Sequence, residues 1–287
     1  MMSSTLTSQE LVQKNINLLS LPETAMRINT MVSDPNSTAA DIGDIVSQDP
    51  ALTSRLLRVV NSAFYGFPSQ IDTISMAITV LGTRQLRDLI MTTSVINRFR
   101  DIPASVVDME NFWCHSLTTA IAARNFAQYL KISNSERLFV AGLLHDIGKL
   151  VMYITLPDPS RQVVEIATEP GIDSRQAEQA IFGFTHADVG AELLRQWKLP
   201  ESLIEPVSYH HEPMAAKVYL QETAIVHLAN VIANDIQPSI SIDDDDMADP
   251  FAWKLLELDP SLLERLHEEV YQQLDEVLNI FYYTNAA

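Results

Sequence analysis

The residues best suited to chemistry in this chain lie in the stretch 143–150, where a histidine and an aspartate follow an apolar run. Their adjacent imidazole and carboxylate side chains, His145 and Asp146, can both reach one divalent cation if the backbone turns between them. Lys149 follows three residues later and would then face an anionic ligand beside the cation. Because a lone His-Asp pair often only caps a helix, the prediction of a metal site needs support from other residues.

The remaining histidines give that support through their distribution along the chain. The sequence contains seven, and none precedes residue 115. Neutral imidazole is the commonest metal ligand, and imidazoles combined with one carboxylate suit Fe, Mn, Zn or Ni better than Mg or Ca. A set that runs from residue 115 to residue 211 requires packed helices to bring it to one point. The seven are His115, His145, His186, His210, His211, His227 and His267.

The elements that would position these residues are helices. Apolar residues recur every three or four positions, and no alternating segment of useful length is present, which predicts an all-α fold. One predicted helix, 109–130, carries His115, and a second, 138–144, ends immediately before His145. Ser133 and Glu136 have the spacing of a capping box before the second helix.

The first hundred residues contain several signals of helix boundaries. A first helix is predicted over 10–19 from its apolar spacing. Thr38, Asp49 followed by a proline, and Thr73 predict helix starts, since their side-chain oxygens can accept from backbone N–H groups. Gly82 predicts the end of the helix that Thr73 opens, and Thr83 predicts the cap of the next one.

The helix pair on either side of Gly82 resembles a helix-turn-helix, but its charge disfavours DNA binding. Arg84 and Arg87 lie on the second helix and Asp88 interrupts them. The whole chain carries a formal net charge of −18, so phosphate backbones and anionic lipid would repel it. We therefore expect no non-specific nucleic-acid binding and no membrane binding.

Cysteine content and hydropathy bear on the compartment. Cys114 is the single cysteine, so no intramolecular disulfide can form and a reducing compartment fits. The first ten residues lack the pattern of a signal peptide, and no stretch of about 18 uninterrupted apolar residues is present. The cytoplasm is the expected location.

Three further segments leave alternatives open. The aromatic loop 62–70 is either a packed connection or an interaction surface. The four aspartates at 243–246 lack the glycine and distal glutamate of a calcium loop, which favours a solvated loop. Asp259 and the proline after it predict the start of an amphipathic last helix, which packs on its own core or serves a homodimer.

Several short motifs agree in order over residues 15 to 235. Together they resemble the HDOD-domain proteins, a branch of the HD phosphohydrolase superfamily related to the HD-GYP type. The resemblance implies an all-α, two-lobed fold: an N-terminal lobe (1–103), an HD-like helical bundle (104–240), and an acidic loop with a C-terminal helix (241–287). The motifs are Leu21-Pro22, Asp49-Pro50-Ala51-Leu52-Thr53, Val60-Asn61-Ser62-Ala63, Ala77-Ile78, Leu81-Gly82, Trp113-Cys114-His115-Ser116, residues 142–150, Thr185-His186-Ala187-Asp188-Val189-Gly190, Trp197-Lys198-Leu199-Pro200 and Tyr209-His210-His211-Glu212-Pro213.

The resemblance also implies roles for individual residues. Asp146 and Lys149 match catalytic positions, the lysine being the one that lies near the substrate phosphate in catalytic relatives. One or two divalent transition-metal ions (Fe, Mn, Zn or Ni) would bind there. The implied metal ligands are His115, His145, Asp146, His186, His210 and His211.

Three departures from the catalytic pattern bear on activity. Asn230 stands where catalytic HD domains end their ligand set with an aspartate, and an amide is a poorer ligand because it carries no charge. Asn111 stands where the two-metal relatives can supply a glutamate. The Gly-Tyr-Pro stretch of the HD-GYP type is absent after His211.

These departures favour a bacterial signal-transduction module over an efficient enzyme. On this interpretation the chain is a protein-binding scaffold with a degenerate or weakly active HD site, and its partner is another signalling protein. The alternative is a metal-dependent phosphohydrolase, a phosphodiesterase acting on a nucleotide or a cyclic dinucleotide.

Overall fold

The computed structural model of the chain describes residues 6–100, 102, 107–167, 172–237 and 248–283. Throughout these ranges the regular structure is helical and no strand occurs, so the predicted all-α fold is confirmed. A 3₁₀ turn spans Pro213–Ala215. The helices are α1 (Ser8–Lys14), α2 (Ile16–Leu19), α3 (Glu23–Ser33), α4 (Ala39–Ser47), α5 (Pro50–Val60), α6 (Ile74–Leu81), α7 (Thr83–Phe99), α8 (Met109–Tyr129), α9 (Ser135–Leu144), α10 (Ile147–Thr155), α11 (Pro157–Ala167), α12 (Ser174–Phe182), α13 (His186–Gln196), α14 (Glu201–Tyr209), α15 (Leu220–Ile236), α16 (Pro250–Leu256) and α17 (Leu262–Phe281).

The helices form two compact units. The first unit consists of the described residues within 1–20 and 102–271, and the second consists of those within 21–101 and 272–287. Residues of α17 belong to both units. The limits of the functional domains stay a prediction.

Helix boundaries in the second unit follow the side-chain caps that the sequence predicts. The Asp49 carboxylate accepts from the Leu52 amide at 2.9 Å, and the Thr73 hydroxyl accepts from the Met76 amide at 3.1 Å. Gly82 ends α6 with a φ of 86°, a conformation that glycine adopts without steric cost. The prediction that Thr83 caps α7 is wrong, because Thr83 is already the first helical residue after Gly82.

Two predictions in the first unit are also wrong. The helix predicted over 10–19 is interrupted at Asn15, whose side-chain amide donates to the Leu11 carbonyl oxygen at 2.8 Å. The capping box of Ser133 and Glu136 does not form. Instead α9 follows Asn134, which has a φ of 69° and makes no side-chain cap, and the buried Glu136 carboxylate pairs with Arg124 at 2.9 Å.

The C-terminal segment agrees with its predicted amphipathic pattern. The helix starts at Leu262, two residues after Pro260, because Asp259 accepts from the Ser261 amide at 2.8 Å in the preceding turn. The acidic run 243–246 lies outside the described residues. The apolar face of α17 is buried through Leu262, Leu266, Val270, Leu274, Val277, Leu278 and Phe281.

Two glycines let helices of the first unit approach closely around the His-Asp pair. A Cβ atom at Gly142 in α9 would lie 2.8 Å from the Thr119 carbonyl oxygen of α8. A Cβ atom at Gly148 in α10 would lie 1.9 Å from the His186 carbonyl oxygen at the start of α13. Only glycine fits at these positions, so α8, α9, α10 and α13 meet where the predicted ligands lie.

One stretch of the described residues, Ser135–Thr155, has the length and mean hydropathy of a membrane span. It comprises α9 and α10. In this structure 78% of its apolar window is buried inside the protein, so packing within the first unit accounts for its apolar character.

Candidate metal centre

The six predicted ligands lie at helix ends or on the central helix α8 of the first unit. His115 projects from α8, and His186 is the first residue of α13. The backbone turns between α9 and α10, which places His145 at the end of one helix and Asp146 at the start of the next. His210 ends α14 and is followed by His211. We call these six residues the His–Asp cluster.

The Asp146 carboxylate is shared between two groups of histidines. Its Oδ1 lies 3.2 Å from the Nε2 of His186 and 3.8 Å from that of His210. Its Oδ2 lies 3.4 Å from the Nε2 of His145 and 3.8 Å from that of His115. In each group the candidate ligand atoms all lie within 4.8 Å of one another; the groups are Asp146 with His186, His210 and His211, and Asp146 with His115 and His145.

Distances between the ring nitrogens match those of ligands around one ion. With metal–nitrogen bonds of about 2.1 Å, two ligand atoms are about 3.0 Å apart at a right angle and about 3.4 Å apart at a tetrahedral angle. The Nε2 atoms of His115 and His145 are 3.3 Å apart. His186 Nε2 lies 3.4 Å from that of His210 and 3.0 Å from that of His211.

Hydrogen bonds behind the rings fix which nitrogen carries the proton. His145 Nδ1 lies 2.7 Å from the Gly142 carbonyl oxygen, and His210 Nδ1 lies 2.8 Å from that of Val207. A carbonyl oxygen only accepts, so both Nδ1 atoms donate, and the Nε2 atoms of the neutral rings present lone pairs. These lone pairs face other ring nitrogens and the Asp146 carboxylate, and a positive charge among them, a proton or a metal ion, would relieve their mutual repulsion. The residues therefore fit a metal ion.

Burial and neighbouring charges set the protonation states that such a site requires. Burial lowers the pKa of His145. It also lowers that of His210, well below the usual value, and the neighbouring histidines add to the effect. Burial would raise the pKa of Asp146, but His145 and Lys149 outweigh it and hold the pKa well below 3.8. Neutral imidazoles and an ionised carboxylate are the forms that bind metal.

Glu178 is a functional candidate that the sequence analysis missed. Its carboxylate accepts from His186 Nδ1 at 2.8 Å and from the His186 backbone amide at 2.7 Å. A carboxylate behind a histidine ligand orients the ring and raises its basicity. The spacing in the sequence could have revealed it, because Ser174, Ala177 and Glu178 share one face of α12, and this face is buried. A carboxylate on a buried face requires a partner.

The pKa of His186 reflects its place between two carboxylates. Burial would lower this pKa, but Glu178, together with Asp146, raises it to about 9. The position therefore stabilises a positive charge, carried by a proton on Nε2 or by a metal ion in its place.

Lys149 lies beside the His–Asp cluster as the sequence predicts. Its Nζ is 2.9 Å from Asp146 Oδ2, and its side chain is 15% exposed. The ammonium group therefore borders the cluster and remains accessible from outside. Its catalytic role stays a prediction.

The two histidines outside the implied ligand set make other contacts. His227 Nδ1 lies 2.8 Å from the His210 carbonyl oxygen, to which it donates, and its Nε2 accepts from the Asp249 amide at 2.9 Å. Both ring nitrogens of His227 are thus engaged with backbone. His267 lies near the surface, 3.3 Å from the Asp235 carboxylate.

The two asparagines that depart from the catalytic pattern differ in environment. Asn111 is exposed and donates to the Asp108 carboxylate at 2.9 Å near the start of α8. Asn230 is buried in α15, and its Oδ1 has no hydrogen-bond donor in the described part of the chain.

Comparison with known proteins identifies the family. Residues 18–213, which include both units' motifs and the whole His–Asp cluster, match the model of the HDOD domain. The chain belongs to the HDOD domain family.

Solved structures of similar proteins agree with this assignment. An HDOD domain protein of unknown function from Geobacter sulfurreducens is 26% identical, with a TM-score of 0.68, and the match covers 96% of this chain and 98% of that one. A protein from Shewanella amazonensis, provisionally named a phosphohydrolase, is 25% identical with a TM-score of 0.72, covering 94% and 96%.

Two further similar proteins are longer than this chain. A protein from Marinobacter aquaeolei, provisionally named a signal transduction protein, shares the fold at 23% identity and a TM-score of 0.73, covering 94% of this HDOD chain and 60% of that protein. An uncharacterized protein of Treponema pallidum is 28% identical over 216 residues, 74% of this chain. The present chain spans only 41% of the length of that curated relative.

Proposed function

We propose that this HDOD protein is a signalling module whose His–Asp cluster binds one or two divalent transition-metal ions, Fe, Mn, Zn or Ni, with weak hydrolytic capacity at most. The observation that carries the metal proposal is the arrangement around Asp146. His145 and His210 commit their Nδ1 protons to backbone carbonyls, so their Nε2 lone pairs converge on a buried carboxylate. A divalent cation at that point would accept these lone pairs and balance the charge of the carboxylate.

The ligands divide around the shared carboxylate. Asp146 with His186, His210 and His211 would hold one ion, and Asp146 with His115 and His145 would hold a second. A bound ion would supply Lewis acidity and lower the pKa of a coordinated water molecule, the chemistry that phosphoester hydrolysis requires.

The surrounding residues would orient the ligands and an incoming anion. Glu178 fixes the His186 ring through Nδ1, and the Gly142 and Val207 carbonyls fix two others. Lys149, partly exposed beside Asp146, would attract and orient a phosphate group as a point charge.

Low activity is proposed because carboxylates are missing from the ligand set. At the position on α15 where catalytic relatives have an aspartate, this chain has the buried Asn230. Its amide adds no charge to balance a second ion. Asn111 is exposed and bonded to Asp108, so it supplies no ligand in place of the glutamate of two-metal relatives. A regulatory module that binds another signalling protein in the cytoplasm fits such a site.

The second candidate function is a phosphohydrolase acting on a nucleotide or a cyclic dinucleotide. The specific observation in its favour is Lys149, whose ammonium is placed to meet a phosphate beside the metal ligands. The name of the Shewanella amazonensis relative points the same way for that protein.

Elemental analysis of the full chain, purified without added metal or a metal-binding tag, tests the proposal. We expect one or two transition-metal ions per chain in the wild type and none in the His145→Ala, Asp146→Ala double variant. His267→Ala removes a histidine near the surface and is the matched control, which should retain the metal. Absence of metal in the wild type after loading with Mn, Fe, Zn and Ni would overturn the proposal.

Assays of loaded protein on cyclic dinucleotides and model phosphodiesters separate the two functions. Turnover that the double variant loses and His267→Ala retains would favour the phosphohydrolase. Metal binding without turnover would favour the signalling module, whose partner a pull-down with the loaded protein would then identify.

A further inference from the structure

The second unit contains a cavity of about 130 Å³ between α3, α5 and α7. We call it the Arg55 cavity. None of its lining residues belongs to the His–Asp cluster. It is lined by Pro22, Thr24, Ala25, Asp49, Leu52, Arg55, Ser94 and Asn97.

Several polar side chains line this cavity without a hydrogen-bond partner in the described part of the chain. Arg55 Nε is buried and has no hydrogen-bond partner among the described residues. Across the same ranges, no side-chain hydrogen bond or ion pair engages Thr24, Ser94 or Asn97, although Ser94 is only 7% exposed. A buried guanidinium N–H left unpaired costs about 1–3 kcal/mol or more, and because the same residue lines the cavity, an acceptor bound there would lie next to this guanidinium.

Asp49 adds one negative charge to the same cavity. Its Oδ1 accepts from the Leu52 amide as the cap of α5 at 2.9 Å, and within the described residues Oδ2 accepts no hydrogen bond. The cavity therefore combines one cation, one anion and three neutral polar groups. A ligand that satisfies all of them needs an anionic group for Arg55 and a donor for Asp49.

The volume of the Arg55 cavity and the charges that line it limit the kinds of ligand it could bind. The volume of about 130 Å³ is well below the 300–1,000 Å³ or so of nucleotide-sized and drug-sized pockets. A dianionic phosphate would meet a single cation and the like charge of Asp49, which is unfavourable. A monocarboxylate matches the guanidinium in charge and in its forked geometry.

We propose that the Arg55 cavity binds a small hydroxy- or amino-carboxylic acid. Its carboxylate accepts from Arg55, and Ser94, Asn97 and Thr24 supply further hydrogen bonds. Its hydroxyl or ammonium group donates to Asp49 Oδ2. The helical regulatory chain thus carries a small-metabolite site of its own, independent of metal binding.

Calorimetric titration of the full chain tests the site with defined probes: glycolate, L-lactate, L-alanine, L-serine, acetate and inorganic phosphate. We expect saturable binding of at least one hydroxy- or amino-acid, weaker binding of acetate because it has no donor for Asp49, and none of phosphate. Arg55→Gln should weaken that binding roughly tenfold to a hundredfold. Arg58→Gln, an exposed arginine one turn along the same helix, is the control and should bind as the wild type does.

Two further variants keep the test decisive if Arg55→Gln fails to fold. The Ser94→Ala, Asn97→Ala double variant should also weaken binding. Asp49→Asn keeps a cap for α5 and should lose amino-acids while tolerating phosphate better. The His145→Ala, Asp146→Ala variant should bind the acid normally, which separates this site from the metal proposal. No saturable binding by any acid, preferential binding of phosphate, or unchanged binding in the Arg55 and Ser94/Asn97 variants would overturn the proposal.

Discussion

In the first unit a buried carboxylate, Asp146, lies among imidazole nitrogens, whereas in the second unit a buried guanidinium N–H, that of Arg55, has no hydrogen-bond partner in the described residues. Imidazole lone pairs converge on a carboxylate in the His–Asp cluster, and a guanidinium, an amide and two hydroxyls converge on empty space in the Arg55 cavity. Buried polar groups require partners in either case. The comparison teaches that the sign of the missing partner can be read from the atoms present: a cation for the first unit and an anion for the second.

The largest expected effect comes from removing the shared acceptor. At a metal concentration of 100 times Kd, binding should stabilise the wild type against unfolding by about 2.7 kcal/mol. Asp146→Asn should gain close to nothing, because the amide carries no charge for either ion. Urea unfolding with and without Zn or Mn measures the gain. Asp158→Asn changes an aspartate whose side chain is 80% exposed and should gain as much as the wild type; an equal gain in Asp146→Asn would refute the shared-ligand role.

A glycine-to-alanine substitution should lower the free energy of unfolding at Gly148 in the first unit and raise it at Gly43 in the second. In Gly148→Ala the new Cβ would lie 1.9 Å from the His186 carbonyl oxygen, so we expect a loss of about 1–3 kcal/mol or more through overpacking, together with weaker metal binding. In Gly43→Ala the new Cβ would meet the flexible end of Ile78 at 3.4 Å, and removing a helical glycine should add about 0.5–1 kcal/mol. Chemical denaturation of both variants measures the two changes. Equal tolerance at both positions would show that α10 and α13 are not held at the close distance observed.

Changing Glu178, which hydrogen-bonds the ligand His186, should reduce metal affinity less than changing the ligand Asp146 does. Glu178→Gln keeps an acceptor for His186 Nδ1 but removes its charge, so metal affinity should fall roughly tenfold to a hundredfold. Competition with a chelator of known affinity measures this change. Gln179→Ala alters the exposed neighbouring residue on α12 and should bind metal normally. If both variants bind equally well, Glu178 has only a packing role.

Sequence analysis located the residues of the candidate site in the first unit better than those in the second. The resemblance to the HDOD family implied all six members of the His–Asp cluster, and the structure brings them together. Glu178 was missed although its buried periodicity was visible. The sequence did not indicate a role for Arg55, because arginines are common in amphipathic helices. Only the structure shows which residues of α3 and α7 lie beside it.

Local helix signals failed where a tertiary contact competed with them. Thr38, Asp49 and Thr73 cap helices as predicted because each bond forms within one turn. Glu136 has the spacing of a capping box, but its carboxylate pairs with Arg124 of another helix. A charged partner in a buried position is worth more than a local cap, and the spacing of Ser133 and Glu136 gives no sign of that partner.

Two carboxylates that accept from backbone amides should differ in their contribution to stability. Glu205 accepts from the amides of Lys217 at 2.6 Å, Val218 at 3.0 Å and Tyr219, whereas the Asp49 carboxylate accepts, among the described residues, from the Leu52 amide alone. Glu205→Gln should therefore cost about 1–3 kcal/mol of unfolding free energy. Asp49→Asn should cost little, since asparagine caps helices as well as aspartate does.

The contribution of Glu205 should also depend on pH with a defined sign. Burial would raise its pKa, but the three backbone N–H groups and Lys217 lower it below 4.5. A carboxylate with a lowered pKa stabilises the fold fully above its unfolded value and loses that contribution as pH falls through the folded value. The stability gap between wild type and Glu205→Gln, measured by urea unfolding, should therefore be constant near neutrality and narrow below about pH 4.5. Glu201→Gln, on the exposed side of α14, should show no such gap. If the stability difference between wild type and Glu205→Gln persists unchanged in acid, Glu205 stabilises the fold through packing and not through its charge.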